Sequence, residues 1–214
     1  MAKGVKRRLR YSVAMSLDGF IARRDGSFDW IENDPAIDFG ALFSEYDTAV
    51  MGRKTWDTAV AMGETGVGSM DTYVFSRSLT PETRKKTRIS GDDPAAIVRE
   101  LKKKPGKDIW LFGGGELFHS LLRAGLVDTV EVAVIPVLLG DGLPVLPPGA
   151  ETKLELADHR VLPKSGIVML AYSIPGGAAP ASKIRHVRKP TTKPKRASRK
   201  KPRARKRARA SRAR

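Results

Sequence analysis

Two short apolar runs in this chain end in glycine and pass directly into a segment of helical spacing. Thr48 to Gly52 leads into Arg53-Lys54-Thr55-Trp56, and Asp108 to Phe112 leads through Gly113-Gly114-Gly115 into Glu116 to Ala124. Runs of that length bounded by turn residues read as buried strands, and β and α elements in alternation favour a largely parallel sheet with helices on its faces. The expected fold class is therefore α/β, with a mostly parallel central sheet and flanking helices.

The other segments extend this pattern. Arg8 to Ser16 mixes β-branched and aromatic residues in alternation and predicts a strand, after which Asp18-Gly19 turns the chain into a short extension, Phe20-Ile21-Ala22. Asp34-Pro35, with Asp34 as cap and Pro35 in the first turn, predicts a helix carrying Phe39, Leu42, Phe43 and Tyr46 and ending near Tyr46. Thr72 to Ser76 is a further strand candidate after the Gly63 to Gly68 loop. Pro94 to Lys103, behind Asp92-Asp93, reads as an amphipathic helix, and Gly125 closes the helix that ends at Ala124. Val127 to Leu139 is strongly apolar and β-branched, with Pro136 marking a bulge or an edge. Leu154 to Arg160 and Gly166 to Ile174 form a closing antiparallel hairpin about Pro163-Lys164-Ser165.

Charge divides the chain. Residues 1 to 182 hold 23 Lys/Arg and all 23 Asp/Glu, whereas residues 183 to 214 hold 17 basic residues and no acidic one. We expect one domain over residues 1–175, followed over 176–214 by a Pro/Gly/Ala linker and a basic tail. That tail has no aromatic residue to repay ordering entropy and is expected to be disordered when unbound. The absence of cysteine excludes disulfides and thiolate chemistry and disfavours structural zinc. His119, His159 and His186 lack metal-ligand spacing, so no metal site is expected. No apolar run reaches the roughly 18 residues of a membrane span, and no signal peptide is evident. A cytoplasmic address follows, with nucleoid association as an extension of it.

Three stations could carry chemistry. Phe112-Gly113-Gly114-Gly115-Glu116-Leu117 lets backbone approach a pyrophosphate at a helix start, where free N–H groups and the dipole favour negative charge. Taken alone, such a run is more often a packing turn. Met51-Gly52-Arg53-Lys54-Thr55-Trp56 sets two cations and a hydroxyl at a second helix start, suited to a cofactor phosphate or to a solvated charge pair. Phe75-Ser76-Arg77-Ser78 ends a strand with a hydroxyl and a guanidinium, as a ribose-linked phosphate would need or as a common loop has.

Taken in order with Ser16-Leu17-Asp18-Gly19-Phe20-Ile21-Ala22, these stations resemble the dihydrofolate-reductase-like family, in the branch that includes the reductase domain of riboflavin biosynthesis. The resemblance covers roughly residues 8 to 174. It implies NADPH bound across the carboxyl ends of the strands. Gly52, Arg53, Lys54 and Thr55 are similar to the pyrophosphate and 2′-phosphate contacts, Ser76 and Arg77 join the 2′-phosphate site, and Gly113, Gly114, Gly115, Glu116 and Leu117 are similar to the second pyrophosphate turn. Ala14 and Ile21 match positions bordering the nicotinamide. The resemblance also implies a homodimer pairing through a sheet edge or adjacent strands.

On the substrate side, Asp38 is the nearest match to the carboxylate of the folate enzymes. Asp18 either positions substrate and relays a proton or only closes the turn with Gly19, and Trp30 has the best claim among the tryptophans to touch substrate. Folate itself is not expected, because Thr55 to Ser76 contains no Lys or Arg to hold a glutamate tail, and the strand position that supplies a Thr falls near Ala133. Phe112 stands where the riboflavin-pathway enzymes place a Glu. Two readings stand: an NADPH-dependent reductase acting on a small heteroaromatic or carbonyl substrate, or a nucleic-acid-associated protein that binds DNA or RNA non-specifically through residues 183–214, weakening with salt, with the folded domain as scaffold; a tethered reductase combines the two.

Overall fold

The computed structural model describes residues 7–149 and 151–176. The basic tail, with the disorder and nucleic-acid binding expected of it, lies outside the described residues.

The strands are β1 (Leu9–Ser16), β2 (Phe20–Ala22), β3 (Tyr46–Gly52), β4 (Asp71–Phe75), β5 (Glu82–Arg84), β6 (Thr87–Ser90), β7 (Asp108–Gly113), β8 (Thr129–Ile135), β9 (Leu143–Pro144), β10 (Glu155–Val161) and β11 (Val168–Ser173). The helices are α1 (Phe39–Phe43), α2 (Arg53–Ala61), α3 (Pro94–Lys103) and α4 (Gly115–Arg123). Nine strands form one sheet in the order β10-β11-β8-β1-β7-β3-β4-β6-β5. From β8 to β6 neighbouring strands run parallel, and β11 and β10 close one side and β5 the other as antiparallel additions. This is the mostly parallel α/β sheet with a C-terminal hairpin that the strand and helix pattern predicts.

Strand alternation divides the side chains between two faces. Leu9 and Tyr11 of β1 and Ile109 and Leu111 of β7 join Val98 and Leu101 of α3 and Leu117, Phe118 and Leu121 of α4 in the main core. The intervening residues line the other face, where two smaller clusters form around Trp30 and around Trp110. That second face is covered only in part and forms the floor of a large cleft. No helix among the described residues is long and apolar enough to cross a membrane.

Three local expectations are corrected. The helix expected from Asp34 to Tyr46 is reduced to Phe39–Phe43. Asp34 instead accepts a hydrogen bond from the Ala36 amide at 2.8 Å, and Asp38 supplies the cap. Tyr46 opens β3, because its ring stacks on Trp110 at 5.3 Å and carries the Arg10 guanidinium at 4.7 Å. Pro136 marks neither a bulge nor an edge. It follows directly on β8, an interior strand of unbroken register that ends at Ile135. The edge strand β5 and its neighbour β6 have no sequence signal, since Thr83 to Arg88 is largely charged and β5 is exposed throughout.

Candidate functional site

β3 and β7 are parallel neighbours, so the helices that follow them start side by side at the carboxyl ends of the strands. Their N-caps are Gly52 and Gly114, and neither cap makes a side-chain hydrogen bond. By contrast, α1 and α3 are capped by the carboxylates of Asp38 and Asp93. The first-turn N–H groups of α2 and α4 therefore lack the side-chain acceptor that helix starts usually recruit, and both positive dipole ends face the same space. The two starts touch. A Cβ on Gly52 would lie 3.9 Å from Leu117 Cβ, and one on Gly113 or Gly114 would lie 3.4 Å from the Thr55 hydroxyl. At Gly115 a Cβ would come within 2.9 Å of the Pro144 carbonyl oxygen, so the loop carrying β9 crosses this turn at backbone distance.

Cations gather at the same end of the strands. Arg53 is held by Asp57, at 3.1 Å, and by the Ser78 hydroxyl. The buried Ser76 hydroxyl accepts from the Leu79 amide at 3.0 Å and the Ser78 amide at 3.3 Å, which shapes the turn that presents Arg77. Among the described residues the Lys54 ammonium and the Arg77 guanidinium have no protein partner. Arg53, Lys54, Ser76, Arg77 and Ser78 line one cleft of about 1430 Å³, larger than the roughly 300–1,000 Å³ typical of a pocket for one drug-sized molecule.

The far end of the cleft differs in character. Phe39 and Phe43 stand 5.9 Å apart, Phe43 lies 5.4 Å from Trp110, and Trp110 lies 4.8 Å from Phe112, so a run of rings leads from the surface to the glycine turn. Beneath it Arg10, only 5% exposed, makes a two-pronged ion pair with Glu131 at 2.7 Å and further ion pairs with Glu45 and Asp108. Burial works against the Arg10 charge, yet the Glu131 hydrogen bonds and charge, helped by Glu45, hold its protonation above the ordinary range. For Asp108 burial pulls upward, but Arg8 and Arg10 together keep its carboxyl below the usual carboxylate value.

Every residue expected at the cofactor, from Ala14 and Ile21 through the Gly52 and Ser76 stations to Leu117, lines this one cleft, and so does Asp38. Asp18 and Trp30 do not. The Asp18 carboxylate accepts from the Ser16 hydroxyl at 2.6 Å, the Gly140 amide at 2.7 Å and the Leu139 amide at 3.1 Å. These bonds, the one from Ser16 foremost, hold its carboxyl below the usual range and fasten the β1–β2 turn to the loop after β8. Trp30 is packed with Ile135, Leu162 and Ile167, and its neighbours Phe28 and Ile31 line the cleft instead. Sequence reasoning missed Arg10, Glu45, Glu131 and the exposed rings of α1. Charged residues inside the two strands β1 and β8 were the available signal.

The family described as RibD C-terminal domain matches residues 7–168. The chain is 33% identical over 180 residues to the uncharacterized protein YyaP of Bacillus subtilis, covering 78% of this chain and 95% of that one. It is 28% identical to the riboflavin biosynthesis protein RibD of Mycobacterium tuberculosis over 61% of this chain and 42% of that protein, so it spans less than half of RibD. A candidate riboflavin biosynthesis protein of Shewanella sp. PV-4 superposes with a TM-score of 0.68 at 24% identity, over 78% of this chain and 98% of that one. With its parallel sheet, its paired glycine-capped helices and its match over residues 7–168, the chain belongs to the RibD C-terminal domain family, the dihydrofolate-reductase-like reductase family of riboflavin biosynthesis.

Proposed function

We propose that this protein is an NADPH-dependent reductase that transfers hydride to a small heteroaromatic or carbonyl substrate. The observation that carries this reading is the pairing of two helix starts without side-chain caps with Lys54 and Arg77, neither of which has a side-chain partner among the described residues, in one cleft. A dinucleotide has a pyrophosphate to meet the N–H groups of α2 and α4, and a 2′-phosphate to meet Arg77, Arg53 and Ser76. When bound, NADPH supplies the hydride.

The chain's own residues supply binding and orientation. Thr55 offers a hydroxyl beside the glycine turn, Glu116 and Leu117 open α4, and Ala14 and Ile21 border the nicotinamide end. Asp38, which lines the cleft, is the carboxylate placed to position substrate or relay a proton, whereas Asp18 keeps the β1–β2 turn closed. The protein works in the cytoplasm as a homodimer, paired through the β10 edge, whose Leu156 and Val161 are 55% and 57% exposed. Light scattering tests that pairing.

Titration of NADPH and NADH into the full chain tests the function. A charge-assisted hydrogen bond contributes about 1.5–3 kcal/mol, so Arg77→Ala should raise the Kd for NADPH roughly 10- to 100-fold while leaving NADH nearly unchanged. Arg53→Ala should act in the same direction. Equal weakening of both dinucleotides, or no binding of either, refutes the assignment.

A further inference from the structure

Resting on the reading of the cleft as an NADPH site, we propose that its far end selects an uncharged planar heteroaromatic substrate and rejects a phosphorylated one. The cleft is polarised along its length. Arg53, Lys54 and Arg77 lie at the cofactor-phosphate end. Around α1 and the rings it carries, Asp38, Glu45 and Glu131 outnumber Arg10, and Glu32 and Arg160 also line the cleft.

Of those two arginines, the one beneath the rings, Arg10, does not offer itself to a ligand phosphate. Arg10 is 5% exposed, doubly hydrogen-bonded to Glu131 and ion-paired with Glu45 and Asp108. Arg160 donates to the Ala36 carbonyl oxygen at 3.3 Å. The flank running from α2 to β4 adds no cation either, since Thr55 to Ser76 is free of Lys and Arg. A phosphate entering beside Arg10 would lose its hydration to a wall whose formal charge is negative, where that guanidinium is already taken by Glu131, Glu45 and Asp108.

What the far end does offer is aromatic surface. Phe39 and Phe43 are 41% and 43% exposed on a helix of five residues, more than core packing requires. They continue through Trp110 to Phe112, the residue before the glycine turn. Rings spaced about 5 Å apart in tilted and edge arrangements present both faces and edges to a flat guest. A planar ring system held against Phe43 and Trp110 would have one end directed at Phe112 and the cofactor side of the cleft.

The test uses the full chain and three ring probes, lumichrome and riboflavin without phosphate and FMN with it, followed by fluorescence. Salt at about 1 M reduces the Debye length to about 3 Å and screens the basic tail. NADP⁺ affinity is measured first and separately, so that a failed cofactor reading is recognised by its own result. The ring probes are then titrated into the NADP⁺-saturated protein, or into the free chain if NADP⁺ does not bind. Lumichrome and riboflavin should bind, with FMN weaker by about tenfold or more. Phe43→Ala should weaken riboflavin by about fivefold while NADP⁺ affinity and the sedimentation behaviour stay as in the parent. FMN binding as tightly as riboflavin overturns the proposal. So does a failure of all three probes to bind, or a Phe43→Ala variant that alters only the oligomeric state.

Discussion

Gly52 and Gly115 occupy equivalent strand-to-helix turns, yet the structure predicts unequal responses to alanine. At Gly115 the new methyl would sit 2.9 Å from the Pro144 carbonyl oxygen, 3.1 Å from Pro147 Cδ and 3.3 Å from the Val145 carbonyl oxygen. Two of these are backbone atoms of a loop tied down elsewhere, by the Val145 amide to the Gly19 carbonyl and by the Tyr11 hydroxyl to the Val145 carbonyl. Overpacking of this kind costs about 1–3 kcal/mol. Reduced chain entropy on replacing glycine returns about 0.4–1 kcal/mol, which leaves a net loss of about 1–2 kcal/mol. At roughly 2–4 °C per kcal/mol for a domain of this size, Gly115→Ala should lower Tm by about 2–8 °C. Gly52 has φ −84° and ψ 169°, which any residue adopts, and its nearest neighbour would be 3.9 Å away. Gly52→Ala should therefore shift Tm by no more than about 2 °C, the entropy gained in replacing glycine being offset by the poorer N-cap that alanine makes. Thermal unfolding followed by circular dichroism reads both. Equal shifts in the two variants, or a neutral Gly115→Ala, would refute the close crossing of the loop over α4.

Arg10→Met should cost about 3–5 kcal/mol in urea unfolding, because it leaves Glu131 and Glu45 partly buried without their shared cation. Arg10→Lys should fall between, having lost the two-pronged pair. Acid sensitivity follows from the depressed carboxyls of Asp18, Asp34 and Asp108. A carboxyl lowered in the folded state adds stability that is present above its unfolded value, about 3.9 for Asp, and is lost as pH falls through the folded value. Stability should thus drop below about pH 4, and Asp108→Asn should flatten that limb in a pH series of denaturant midpoints.

The elements bounded by their own neighbours were legible in the sequence. Asp93 caps α3 and Pro94 occupies its first turn, so both signals lie within the helix start itself. The glycine stations behave likewise, because a strand that turns at Gly52 or Gly114 leaves a helix start without a side-chain cap whatever the rest of the chain does. Other assignments were settled by distant partners. Tyr46 joins β3 rather than α1 through Trp110 and Arg10. Asp18 is taken by the amides of Leu139 and Gly140, and Trp30 by the C-terminal hairpin. Arg10, on β1, becomes the floor of a cleft only when β8 brings Glu131 and the start of β3 brings Glu45. By itself the sequence determined where helix starts without side-chain caps follow a glycine turn, since capping and backbone approach are decided within one turn of chain. What the far end of the cleft can hold was decided by the tertiary structure, because the pairing of buried charges and the exposure of rings depend on strands that meet only in the folded sheet.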